Sequence, residues 1–376
     1  MWLILAALAV PLAFAACHGE RGAPLSGTHP VPTSTDVFDA GETDGPPPLD
    51  ASGYCGNELH ETGYDAPNLY FVLDRSGSMA TVATAGGDTR YEVVRSAMLA
   101  LVRTLGPLIN VGAALFPAFN GSACMAGGQV FATRAGDPVT GSEGPTTQML
   151  RFATKISPEG GTPTAATLAA IAPTLQALPG RTVVLLATDG APNCNDAAVC
   201  GAGDCTLNID GQCPQNEANC CAPGGTGGPE ACVDRAATLS AIEALHASGI
   251  DVYVIGIPGT AHYAGVLDQM AEVGGTAQSG EPKYYRVDDV ALISQVFAAI
   301  AAEAISCKFV LSSPPDDPAM TNVYLDGQLL PYDPVNGWSW LGSDTVLLNG
   351  EACQRLKSGG ATSVQVVTGC PTQYPN

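Results

Sequence analysis

The sequence predicts an α/β fold: a doubly wound, mostly parallel sheet with helices on both faces, followed by a small β-rich C-terminal module. Three observations lead there. Apolar runs of strand length are nearly continuous rather than alternating, as in parallel strands covered on both faces. Stretches of helical periodicity separate them, and strand alternating with helix builds parallel units. After Cys307 the pattern changes to short alternating runs divided by turn signals.

The expected strands of the main domain (67–306) are "LYFVLD" (69–74), "VGAALF" (111–116), "TVVLLATD" (182–189) and "DVYVIGI" (251–257). Between the first two, Val93, Val94, Ala97, Met98, Leu101, Val102 and Leu105 form one helical stripe. Further helices are expected at 163–178, 234–248, 262–273 and 290–305. In the module (307–376) the strands are "KFVLSS", "NVYLDGQLL", "GWSWL", "TVLL" and "SVQVV", with Asp326-Gly327 as a hairpin turn.

Residues 1–16 read as a signal peptide: an apolar run from Trp2 to Phe14, too short to span a bilayer, which takes about 20 apolar residues. Its end, Ala15-Ala16-Cys17, resembles a bacterial lipobox in which Cys17 is lipidated. The other reading is cleavage after Ala13-Phe14-Ala15, which leaves Cys17 a spare thiol. Residues 17–66, rich in Pro, Gly, Ser, Thr and Asp, read as a flexible tether. The expected location is therefore outside the cytoplasm, lipid-anchored to a bacterial (outer) membrane on the periplasmic or surface side.

Thirty-six acidic residues against 15 basic ones give a formal charge of −21, which excludes nucleic acid and anionic lipid as main partners. The chain has 13 cysteines, an odd number that becomes even if Cys17 is lipidated, as suits an oxidising compartment. Seven of them, Cys194, Cys200, Cys205, Cys213, Cys220, Cys221 and Cys232, crowd an insertion at 193–232. With Cys124 they make an even set. Disulfides are the favoured reading over a zinc cluster, because clean pairs of Cys-x-x-Cys are missing. Eight cysteines allow about a hundred connectivities, so the pairing stays open.

The candidate site lies where strands end. Asp74 and Asp189 close two strands, and ligands of doubly wound sheets bind beyond the carboxyl ends of strands. Ser76 and Ser78 follow Asp74 at alternate positions, and Thr162 sits in "EGGTPTAATL". Carboxylates and hydroxyls are hard oxygen ligands, suited to Mg²⁺, Mn²⁺ or Ca²⁺. The plainer alternative is that the serines cap the following turn and the aspartates satisfy loop amides. No Gly-x-Ser-x-Gly, His-Glu-x-x-His or P-loop occurs, and the five histidines are scattered, so no enzyme is expected.

Asp74-x-Ser76-x-Ser78, "EGGTPTAATL" and "LLATDGAPN", in that order, resemble the three metal-site loops of the von Willebrand factor type A family, over residues 68–306. The resemblance implies a metal-ion-dependent adhesion site made by Asp74, Ser76, Ser78, Thr162 and Asp189, with at least one aspartate acting through water. It implies a binding protein that captures a carboxylate-bearing ligand, a protein above all. Two other readings remain: an accessory subunit of an envelope enzyme, and a scaffold with an idle site. Since the termini of a domain in this family lie close together, the resemblance further implies a clamp of Cys55 on Cys307, with Cys353 and Cys370 closing the module.

Overall fold

The computed structural model describes residues 54–56 and 58–375. The predicted signal peptide, Cys17 and most of the predicted tether lie outside the described residues. Two short strands come first, β1 (Glu58–His60) and β2 (Thr62–Gly63). The main domain follows with β3 (Asn68–Asp74), α1 (Arg90–Leu105), β4 (Asn110–Phe116), β5 (Gly128–Ala135), α2 (Pro145–Ala153), α3 (Thr164–Gln176) and β6 (Thr182–Thr188). It continues with α4 (Thr206–Ile209), α5 (Arg235–Ala247), β7 (Asp251–Gly256), α6 (Ala264–Val273), β8 (Tyr285–Arg286) and α7 (Ile293–Ala304). The remaining elements are β9 (Lys308–Leu311), β10 (Thr321–Leu325), β11 (Gln328–Leu330), β12 (Trp338–Trp340), β13 (Thr345–Leu348), α8 (Gly350–Lys357) and β14 (Val364–Thr368).

The main sheet has the order β5-β4-β3-β6-β7-β8. All neighbours are parallel except β5, which runs antiparallel to β4 at the edge. Every residue of the two central strands, β3 and β6, is buried, and this explains their unbroken apolar character. Leu168, Ile171, Leu175, Ile242, Leu245 and Leu267 of α3, α5 and α6 cover one face. On the other, Val94, Met98, Val102, Leu150, Phe297 and Ile300 of α1, α2 and α7 pack together. The first turn of α1 is fixed by a capping box: Thr89 Oγ1 accepts from Glu92 N at 3.2 Å, and Thr89 N donates to Glu92 at 2.8 Å. This box positions Arg90, the first helical residue.

Two four-stranded antiparallel sheets form the module, in the orders β1-β14-β10-β11 and β12-β13-β9-β2. The hairpin is where the sequence places it, with Asp326 and Gly327 at φ 47° and 77° between β10 and β11.

Two expectations are corrected. The tether does not run to residue 66, because β1 pairs with β14 and β2 with β9, so 58–63 belong to the module. The module shares its core with the main domain. One buried apolar cluster runs from Phe297, Ile300 and Ile305 through Phe309, Leu325 and Trp338 to Leu356 and Val366. Finally, Cys55 bonds Cys370 and Cys307 bonds Cys353, in place of Cys55–Cys307 and Cys353–Cys370. The register causes this: Glu58 lies opposite Thr368, and the chain just before β1 therefore runs beside Cys370. Cys307 instead reaches α8, a helix with little apolar content to mark it in the sequence.

Candidate metal centre

Strands β3 and β6 are parallel neighbours in register, Leu73 opposite Ala187, so Asp74 and Asp189 emerge side by side. Asp74 is fully buried. Its Oδ1 accepts from the Ser76 backbone N–H at 2.7 Å, and its Oδ2 accepts from the Thr188 hydroxyl at 2.6 Å. The Ser76 and Ser78 hydroxyl oxygens are 3.1 Å apart, and Ser78 donates to Asp189 Oδ1 at 2.7 Å. One oxygen chain thus joins two strand ends.

Thr162 lies at the turn into α3. Its backbone is held from both sides by Asn193: Thr162 N donates to Asn193 Oδ1 at 2.7 Å, and Asn193 N donates to Thr162 O at 2.9 Å. Among the described residues no protein hydrogen bond engages the Thr162 hydroxyl, which lines the same crevice. Ser76, Ser78, Thr162 and Asp189 all face this crevice of about 580 Å³, and Asp74 lies beneath it.

The plainer alternative holds only in part. Asp74 does accept a loop amide, but Ser76, which begins the short turn Gly77–Ala80, makes no capping bond with its side chain. Its hydroxyl meets Ser78 instead.

Two arginines escaped the sequence reading. Arg75 is fully buried and fans out over the loops around the site. It donates to the carbonyls of Pro117 and Ala118 at 3.1 and 3.2 Å, to Ser157 O at 3.1 and 2.8 Å, and to Glu159 Oε1 at 2.9 Å. The guanidinium fork holds the exit of β4 against the loop that carries Thr162. Arg90 donates from Nη1 to Asp189 Oδ2 at 2.6 Å. Nothing local in "DTRYEVV" announces that contact, which joins residues 99 positions apart.

Burial, followed by the charge of Asp189, pushes the Asp74 carboxyl up to about 7. Burial also raises Asp189, against the opposing hydrogen bonds from Ser78 and Arg90. Two acids are thus held in a dry place, with one guanidinium on Asp189. The donors are all hard oxygens, one hydroxyl is unengaged, and the carboxyls gain from a nearby cation, so the residues present fit a divalent ion such as Mg²⁺, Mn²⁺ or Ca²⁺.

The cysteine-rich insertion walls the crevice. Thr206, Leu207, Asp210 and Gln212 line it, and Asp210 accepts from the Tyr263 hydroxyl at 2.8 Å. Its disulfides are Cys200–Cys232, Cys205–Cys221 and Cys213–Cys220. Their sulfurs crowd into two groups of three, each within 4.8 Å, but all are committed to disulfide bonds, which leaves no thiolate for zinc. Cys124–Cys194 ties the loop after β4 to the start of the insertion and packs on Gly161, next to Thr162.

No protein-family model matches the chain. Nor does any curated protein match it. Among solved structures, it is similar to the pilus adhesin SpaC of Lactobacillus rhamnosus GG, with 15% identity, a TM-score of 0.45, and coverage of 82% of this chain and 39% of that one. It is similar to the PilB minor pilin of Streptococcus sanguinis, with 19% identity, a TM-score of 0.43, and coverage of 63% and 61%. It is also similar to the manganese-loaded TRAP protein of Plasmodium vivax, with 18% identity, a TM-score of 0.38, and coverage of 75% and 85%. The chain spans less than two thirds of the length of the first two.

Proposed function

We propose that this is a non-catalytic binding protein of the bacterial envelope, which uses a divalent ion to capture a carboxylate-bearing ligand, a protein above all. The observation that carries the reading is the convergence of Ser76, Ser78, Thr162 and Asp189 on one crevice over the buried Asp74. Asp189, Ser76, Ser78 and Thr162 would hold the ion, with Asp74 fixing the Ser76 loop from below. When bound, the ion supplies a Lewis-acidic position for a ligand oxygen.

The chain's own residues do the rest. Arg75 holds the loops at their spacing, and Asn193 fixes the Thr162 backbone. The cross-linked insertion gives the ligand a rigid wall, which lowers the ordering cost of capture. No histidine lines the crevice among the described residues, which favours binding over acid–base chemistry. Lipidation of Cys17 would keep the protein at the membrane; among the described residues no helix is long and apolar enough to cross one.

The test is capture of envelope proteins by the full chain in magnesium against EDTA, with Asp189→Ala as a second control. Retention that needs magnesium and is lost in Asp189→Ala is expected. Equal retention in EDTA sinks the proposal.

A further inference from the structure

We propose that Arg90 is a resident cation of this site: its guanidinium occupies Asp189 in the metal-free protein and must leave for a divalent ion to bind. The inference rests on the metal-binding reading above and adds to it a residue that tunes the site.

The geometry shows the competition. Asp189 has two carboxylate oxygens and both are engaged, Oδ1 by the Ser78 hydroxyl and Oδ2 by Arg90 Nη1 at 2.6 Å. The Asp189 side chain is wholly out of solvent, so the arginine is the cation that neutralises it. Ser78 can turn its hydroxyl to present a lone pair to an ion, whereas Arg90 carries only donors and has nothing to offer one. A guanidinium and a dication on the same carboxylate repel each other, so one replaces the other.

The structure also supplies a destination. Arg90 lines a second cavity of about 420 Å³, shared with Val82, Ala83, Pro258, Asp288, Asp289 and Val290. Between the two runs Gly259 at φ 126°, where an added Cβ would stand 3.0 Å from Arg90 Nη1 and 2.9 Å from Asp189 O. Glycine there leaves the arginine the room that a side chain would take. At present Asp288 is paired with Arg286, and Asp289 accepts from Ala291 N, both at the exposed rim. A displaced guanidinium would therefore move from one carboxylate to a pair of them. It would still stand beside the crevice, where it adds a positive charge for an acidic ligand.

Manganese alone is the probe, measured by calorimetry and by its spin-resonance signal on the full chain. Arg90→Gln is expected to bind Mn²⁺ about tenfold more tightly than the parent, because the competitor is gone. The double change Asp288→Asn with Asp289→Asn is expected to weaken Mn²⁺ binding several-fold in the parent and to do nothing in the Arg90→Gln background. Asparagine keeps the capping oxygen at 289, and thermal melts check the fold. If the parent binds Mn²⁺ and Arg90→Gln binds it no more tightly, the arginine exchange is wrong while the metal site stands. Should neither bind Mn²⁺, both readings fall.

Discussion

Cys55 is bonded to Cys370 with their Cα atoms 5.9 Å apart, although 315 positions separate them in sequence. The bond closes the module on the strand pair β1–β14 and joins the start of the described chain to its end. Cys307–Cys353 makes a second tie, from the residue just before β9 to α8. Peptide mapping of the non-reduced protein should recover both pairs, and recovery of Cys55 linked to Cys307 would refute the arrangement. Replacing Cys55 and Cys370 together by alanine should cost about 2–5 kcal/mol, read as a shift of the denaturant midpoint.

Arg75 is expected to be the most sensitive residue beside the crevice. Arg75→Met leaves the carbonyls of Pro117, Ala118 and Ser157 without their donor in a dry place. A loss of a few kcal/mol is expected, since each buried acceptor left unsatisfied costs about 1–3 kcal/mol. Arg75→Lys should recover little of it, since an ammonium lacks the planar fork. Urea unfolding of both variants is the measurement, and a near-parental Arg75→Lys would contradict this role.

Thr162→Ala separates function from fold. The hydroxyl makes no protein hydrogen bond among the described residues, so its loss should change stability by less than about 1 kcal/mol. Metal affinity should fall about tenfold, because one neutral oxygen leaves the coordination sphere. His262→Ala, on an exposed turn outside the crevice lining, should leave both unchanged. Mn²⁺ titration with parallel melts decides between these outcomes.

In metal-free protein, stability should fall as pH rises from about 4 to about 7. Burial and then Asp189 raise Asp74 to about 7, above its unfolded value, so the folded form keeps a proton that the unfolded chain releases. The contribution is complete below the unfolded value and lost as pH passes the folded one, on the order of a few kcal/mol. A divalent ion favours the ionised carboxyl, so added Mn²⁺ should stabilise more at about pH 8 than at about pH 5. Denaturant midpoints with EDTA and with Mn²⁺ at both pH values test the sign, and a flat EDTA profile would contradict it.

Much of this was legible in the chain because it is local. The unbroken apolar runs ending in Asp74 and just before Asp189 are what a parallel strand buried on both faces requires, and the structure confirms both strands within a residue or so. Asp326-Gly327 announced its hairpin because few residue pairs tolerate two positive φ values. Other elements carried weak local signals. Strand β1 alternates over only three residues, and α8 has little apolar content, so neither stands out from loop.

The amino-acid sequence by itself determined the buried parallel strands and their covering helices, and which oxygens lie at strand ends, since period and position express these along the chain. Only the tertiary structure decided which distant groups meet: Arg90 with Asp189, Arg75 with the carbonyls of Pro117 and Ser157, Cys55 with Cys370. Those pairings depend on register and packing between segments far apart in sequence, and a side chain's own neighbours say nothing about which remote partner the folded sheets will bring into contact with it.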